Sequence, residues 1–257
     1  MDRVTRLEPR LAAELCAISQ ILSNADLEYA VIGANGLVLL GIELLRTTRD
    51  LDLTVVVTEG LPQIREVFAD AGLRSTRIGH RFVAAGGTEV DVLPLQPGQR
   101  PDKDIRFPDG ERISAVGLSD AVEHAKGVEL GDCAIHVAPL PILTAIKLHT
   151  AIMRWGDRDL DDALSAMEQF EARGRRRFEV DYESAPGLLW ETAGAFLLGR
   201  DATSMTGIAT RTAAEKAVRT LLEDPRTTDR FTRGEERGAL LRAFLAGMTG
   251  GSPTEGT

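Results

Sequence analysis

Three aspartates stand out by type and spacing. The run Arg46-Thr47-Thr48-Arg49-Asp50-Leu51-Asp52-Leu53 opens a β-branched stretch over 51–57 that reads as a strand. Strand side chains alternate, so Asp50 and Asp52 share one face while Leu51 and Leu53 turn to the core. Two adjacent carboxylates repel at neutral pH and call for a cation. A hard divalent ion with oxygen ligands meets that need, and magnesium keeps positions for water and substrate phosphates. In Glu89-Val90-Asp91-Val92-Leu93, the valines face one way and Asp91 the other, with Glu89 on the face of Asp91. A strand carrying Asp91 in the same sheet would complete a three-carboxylate cradle for two metals about 3.5–4 Å apart. In such a cradle Asp91 is ligand or base, and an acceptor attacks the α-phosphorus of a triphosphate in line.

Gly33-Ala34-Asn35-Gly36 follows the short apolar run Tyr29-Ala30-Val31-Ile32 and opens a helix. Its backbone N–H groups, with the Asn35 side chain, suit phosphate oxygens; helix capping at an Asn-Gly turn is the competing reading. Arg46 is expected to bind phosphate or pair with Asp50, and Thr48 to contact the nucleotide or steady the turn. Lys147 and Arg154, seven residues apart on an expected helix over 139–154, share a face opposite Leu140, Leu143 and Leu148. Lys147 would be a point charge for the triphosphate, with Arg154 assisting nucleotide or acceptor binding. Asp159 and Asp162, at i and i+3 on the next helix, would orient these cations by salt bridges. Arg173, Arg175, Arg176 and Arg177 read as cations at a helix C-terminus. The four histidines have no metal spacing and read as structural.

Helices are expected over 10–24, 36–45, 61–71, 139–154 and 158–173, and near 188–198, 213–222 and 235–248. Hairpins are expected at Gly86-Gly87 and Gly131-Asp132, and a loop over 97–110. The outline is a mixed α/β (α+β) core over 1–138, a helical region over 139–250 and a flexible tail over 251–257.

The 257 residues suit one domain or a domain with a helical extension, and 43% hydrophobic content supports a real core. A net charge of −9 argues against broad coating of nucleic acid but leaves room for a local basic groove. Cys16 and Cys133 fit no disulfide framework or zinc spacing and are expected as buried small hydrophobes. The N-terminus lacks an apolar signal segment, and no apolar run approaches the roughly 20 residues that cross a bilayer. A cytoplasmic protein without membrane association is expected.

The order of strand, Gly33-Ala34-Asn35-Gly36, helix, Gly41, Arg46-x-Thr48-x-Asp50-Leu51-Asp52 and then Asp91 resembles the DNA polymerase β-like nucleotidyltransferases. The later Lys147-Leu148, Arg154, Arg158-Asp159 and Asp162 are similar to the pattern of the AbiEii/AbiGii toxin branch. The resemblance spans residues 28–165. It implies a mixed-sheet nucleotidyltransferase core, Mg²⁺ or Mn²⁺, a nucleoside triphosphate as substrate, and pyrophosphate release. It further implies an acceptor that is an RNA end, a protein or a small molecule, and often a toxin role beside a cognate antitoxin. Many members carry Gly-Gly or Gly-Ser where this chain has Ala34 and Asn35, so a serine contact to the triphosphate is missing. That departure motivates a degenerate nucleotide-binding or partner-binding module as one alternative. A D-x-D glycosyltransferase is another, which the glycine turn before Asp50 and the later Asp91 disfavour.

Overall fold

In the computed structural model, which describes residues 7–44, 46–99, 103–154, 157–228 and 234–253, the chain divides into two compact units, Met1–Pro139 and Leu140–Thr257. The first begins with α1 (Pro9–Asn24), whose Leu11, Leu15, Ile18 and Leu22 recur at helical spacing and are all buried. Strand β1 (Tyr29–Ile32) leads directly into α2 (Gly33–Leu39). The glycine turn is thus the first turn of the helix, and the helix stops well before residue 45.

Next come β2 (Leu51–Val56), α3 (Leu61–Asp70), β3 (Arg74–Ser75), β4 (Arg81–Val83) and β5 (Glu89–Leu95). They are followed by β6 (Ile105–Arg106), β7 (Arg112–Ile113), α4 (Leu118–Glu123), β8 (Lys126–Leu130) and β9 (Cys133–Val137). Seven strands form one mixed sheet in the order β3-β4-β5-β2-β1-β9-β8, while β6 and β7 pair separately. Strand β2 runs parallel to β5 and antiparallel to β1. Leu51, Leu53, Val90 and Val92 are fully enclosed, so the alternation read from sequence holds on both central strands. On the other face of β2, Thr54 is also fully buried while Asp52 is half-exposed; the acidic pair sits where that face opens. Helices α1, α2 and α4 lie against the sheet.

Three further expectations are corrected in this unit. The turn between β4 and β5 is wider than two residues, since the Ala84 amide bonds the Thr88 carbonyl and Val83 faces Glu89. The stretch over 97–110 contains β6, which returns through Phe107–Gly110 to β7; residues 100–102 lie outside those described. Cys16 and Cys133, both half-exposed, are joined by a disulfide instead of standing apart as buried thiols. Packing of α1 against β9 brings these residues together across 117 positions of sequence. In a reducing compartment the same pair would be adjacent thiols.

The second unit is helical: α5 (Leu140–Arg154), α6 (Asp157–Gln169), α7 (Ala193–Met205), α8 (Ile208–Leu222), α9 (Pro225–Thr228) and α10 (Gly234–Thr249). The break expected at 155–157 falls partly on residues outside those described, as does the end of the expected tail. Helices α7 and α10 cross closely through glycines. A Cβ on Gly199 would stand 2.1 Å from the Phe244 carbonyl oxygen, and one on Gly247 would stand 2.0 Å from that of Phe196. Within the arginine cluster after α6, Arg173 and Arg175 are exposed, whereas Arg176 and Arg177 are engaged inside the unit. Arg177 is buried and donates to the carbonyls of Glu168, Phe170 and Trp190, while Arg176 forks onto Asp201 at 2.7 Å. Among the described residues no helix is long and apolar enough to cross a membrane.

Candidate metal and nucleotide site

The sheet register brings the carboxylates together. Asp52 on β2 stands opposite Asp91 on β5, and Arg81 on β4 stands opposite Asp91 on its other side. Paired residues project to the same face, so one rung of the sheet presents Arg81, Asp91 and Asp52 side by side. Asp50, just ahead of β2, joins them: one oxygen from each of Asp50, Asp52 and Asp91 lies within 4.8 Å of the other two. Ligand oxygens about 2.1 Å from an octahedral magnesium are separated by at most about 4.2 Å, so small side-chain rotations would close this set on an ion. All three are half-exposed, open enough for water and phosphate to complete a coordination shell. The donor set is oxygen only, which suits Mg²⁺ or Mn²⁺. Spacing left Glu89 beside Asp91 as a contender. Glu89 is instead outside the cluster, with its carboxylate on Arg81.

Backbone devices hold this end of β2. Thr48 donates its hydroxyl to Asp50 Oδ1 at 3.1 Å, and Asn35 donates its side-chain amide to the Asp50 carbonyl at 2.5 Å. Asn35 is fully buried and fixes the Asp50 backbone through this bond. Gly33 has a positive φ of +69°, and a Cβ there would stand 2.0 Å from Asp52 Oδ2. Glycine is required on both counts: the backbone is left-handed, and the carboxylate fills the space of a side chain. Gly33→Ala is expected to displace Asp52 and to destabilise the chain by about 1–3 kcal/mol. A thermal melt would register the loss, and a wild-type melting temperature would contradict it.

Arg46, Thr48 and Arg49, from the segment that precedes Asp50 in the chain, line a cavity of about 780 Å³ together with Asn35, Val38 and Ile42. A cavity of about 810 Å³ lies at the other end of the same strands, between Tyr29, Val56, Leu95 and His136, away from the carboxylates.

Two neighbours of Asp91 had no signal in residue spacing. Arg81 donates from Nε and an Nη to the two oxygens of Asp91 at 2.7 and 2.8 Å, and from the other Nη to Glu89 at 2.8 Å. The hydrogen bond to Asp91 raises the guanidinium above its ordinary value; burial opposes the shift, and the charges of Asp91, Glu89 and Asp50 add to it. His80 is buried, with Nε2 3.8 Å from Asp91 Oδ1 and Nδ1 3.3 Å from Glu111. The hairpin of β6 and β7 packs here, with Phe107 4.8 Å from the His80 ring and Asp109 accepting from the Gly79 amide at 2.7 Å. An antiparallel register through the wide β4–β5 turn is what pairs Arg81 with Asp91; a two-residue turn would have aligned different residues.

Lys147 and Arg154 do not share a solvent-facing stripe within the helical unit. Arg154 is exposed, whereas Lys147 is buried and holds Asp159 Oδ1 at 2.7 Å and Asp162 Oδ2 at 2.9 Å. Burial alone would lower the ammonium's pKa, but the two carboxylates outweigh it and the group lies above its ordinary value. The salt bridges expected of Asp159 and Asp162 are therefore present, and they surround the ammonium expected to face a triphosphate.

No protein-family profile and no curated protein matches the chain. Among solved structures, it is similar to an antigenic nucleotidyltransferase-like protein from Paracoccidioides brasiliensis, at 18% identity over 63% of this chain and 77% of that one, with a TM-score of 0.42. It is also similar to the antibiotic-resistance factor ANT(2'')-Ia, at 12% identity over 62% of this chain and 84% of that one, with a TM-score of 0.41. A third similarity is to the Bradyrhizobium diazoefficiens CD-NTase CdnG, solved with GTP, at 11% identity over 95% of this chain and 85% of that one, with a TM-score of 0.33. At TM-scores below 0.5, these similarities leave the function to be argued from the carboxylates themselves.

Proposed function

We propose that the chain is a divalent-metal-dependent nucleotidyltransferase, moving a nucleoside monophosphate from a nucleoside triphosphate to an acceptor. The convergence of Asp50, Asp52 and Asp91 within 4.8 Å, two of them on one rung of parallel strands, is the observation that carries this reading. Mg²⁺ or Mn²⁺ held by these carboxylates would neutralise charge on the triphosphate and lower the pKa of a bound acceptor oxygen. Asp50 and Asp52 hold the ion, with Asp91 as third ligand or as base for the acceptor proton. Arg46, Arg49 and Thr48 line one cavity, and in this reading they would meet the phosphate oxygens. Asn35 and Gly33 keep the carboxylates in register, by the Asp50 carbonyl bond and by the space left for Asp52. The acceptor oxygen bonds to the α-phosphorus as the bond to the β-phosphate oxygen breaks, and pyrophosphate leaves.

The finer assignment to an AbiEii/AbiGii-like toxin, acting in the cytoplasm on an RNA end, protein or small molecule beside an antitoxin, draws on the sequence resemblance alone. A neighbouring gene for a small antitoxin would support it.

Incubation with triphosphates labelled at the α-phosphate, in parallel with nucleotide-sugars, tests the reaction class. Metal-dependent transfer of the nucleotide label, abolished by a chelator, is the expected result. Sugar transfer would identify a glycosyltransferase. Triphosphate and metal binding without pyrophosphate release, across RNA, protein and small hydroxylated acceptors, would identify a degenerate binding module.

A further inference from the structure

We infer that Arg81 is a positioning residue that locks Asp91 into the orientation in which it serves the ion. The turnover part of this inference rests on the nucleotidyl-transfer reading; the metal-binding part does not.

The geometry has three parts. Arg81 is held opposite Asp91 by the β4–β5 ladder, and the adjacent Phe82 is buried edge-to-face against Phe68, with ring centres 4.9 Å apart. The guanidinium therefore has a fixed origin. Its fork meets both oxygens of Asp91 at 2.7 and 2.8 Å, which prevents rotation of the carboxylate about its terminal bond. The remaining Nη is spent on Glu89, so all three nitrogens are engaged and the side chain is not poised to capture a phosphate.

Each Asp91 oxygen keeps a further lone pair after accepting from Arg81, so the clamp leaves the carboxylate able to face Asp50 and Asp52. Without it, Asp91 would rotate freely beside the other two, still able to reach an ion but no longer held in the orientation that turnover needs. Arg81 thus performs two functions with opposite consequences for a cation. It orders the third carboxylate, which aids turnover, and it adds a positive charge beside the ion, which opposes metal binding.

Arg81→Met and Arg81→Lys separate the two, with Glu89→Gln as a peripheral comparison. Mn²⁺ binding without nucleotide is read by electron paramagnetic resonance. Pyrophosphate release is read at saturating Mn²⁺ with ATP, CTP, GTP and UTP. In Arg81→Met, Mn²⁺ binding is expected to tighten by about threefold or more because a like charge is gone. Turnover should fall about 10- to 100-fold because the carboxylate is no longer held, with KM for the triphosphate within about threefold of wild type. In Arg81→Lys the charge returns without the fork: Mn²⁺ affinity should return to the wild-type level while turnover stays about tenfold down. Glu89→Gln should keep turnover within about threefold of wild type.

Loss of Mn²⁺ affinity and turnover together in Arg81→Met would make Arg81 a mere fold element and overturn the inference. Turnover within about twofold of wild type in either Arg81 variant would overturn it too. Should Arg81→Met not fold, Arg81→Lys decides by the same criterion. A wild-type chain that releases no pyrophosphate from any of the four triphosphates would refute the nucleotidyl reading by itself. The Mn²⁺ comparison would still judge Arg81, and binding no tighter in Arg81→Met would sink its role.

Discussion

Replacing Asp50 and Asp52 together by alanine should reduce pyrophosphate release by at least about 1,000-fold, equivalent to about 4 kcal/mol of lost transition-state stabilisation. Both carboxylates belong to the cluster whose oxygens converge within 4.8 Å, and Asp91 alone would be left to hold an ion. A single carboxylate in a half-exposed site is a poor magnesium ligand set, because the ion gives up its water reluctantly. The fold should survive. Leu51 and Leu53 carry the packing of β2 from the opposite face, and removing two of three crowded negative charges relieves repulsion. A melting temperature within about 4 °C of wild type is the expected companion result. Release at the wild-type rate from this variant would refute the assignment of the two aspartates.

Lys147→Met should produce the largest loss of stability, about 3–5 kcal/mol, seen as a shift in a denaturant melt. The methionine fills much of the lysine's volume, but Asp159 and Asp162, with side chains 15% and 3% exposed, lose the ammonium that both contact. Buried anions that lose their ammonium are the source of the loss, not the missing methylene contacts. Removing the anions as well should therefore recover most of it, so the triple change with Asp159→Asn and Asp162→Asn is expected to melt well above the single variant. The pH dependence follows from the direction of the lysine shift. Its folded pKa lies above the ordinary value of 10.5, so its contribution is fully present below that value and is lost as pH rises through the folded pKa. Wild-type stability from this triad should stay flat through neutral pH and fall only in strongly alkaline solution. A triple variant no better than the single would show that the ion triad is not the cause.

Much of the site was legible because strand periodicity is strict. Asp50, Leu51, Asp52 and Leu53 could alternate in only one way, and the same holds for Val90, Asp91 and Val92, so each acid's face followed from its neighbours. Nothing local says that β2 and β5 are adjacent and parallel, since α3, β3 and β4 intervene; the expectation required a long-range pairing that only the folded sheet supplies. Arg81 was invisible for a related reason. Its partnership with Asp91 depends on the exact width of the turn around Gly86-Gly87, and a change of register would have faced it elsewhere.

Lys147 carries a signal for burial in its own helix. Leu143, Lys147 and Ala151 fall at i, i+4 and i+8 on one buried stripe of α5, and a cation there needs anions from the next element. Asp159 and Asp162 supply them from the first two turns of α6. Judged with Arg154, seven residues on, Lys147 looked solvent-facing; judged with Leu143 and Ala151 it did not. Capping at the Asn-Gly turn, the competing reading for Asn35, would put it at the helix start, whereas the helix begins two residues earlier at Gly33 and carries Asn35 into its buried side. The β6–β7 pair was missed because two-residue strands are too short to display a period. The Cys16–Cys133 pairing depends on α1 lying over β9, which no spacing in the chain encodes.

The central claim is that Asp50, Asp52 and Asp91 share a divalent cation, and calorimetric titration with Mn²⁺ addresses it without any assumption about the acceptor. The wild-type chain should bind Mn²⁺ in the presence of a non-hydrolysable triphosphate analogue, and Asp52→Asn, nearly equal in size but uncharged, should weaken that binding by at least about tenfold. Equal affinity and stoichiometry in the two proteins would contradict the account.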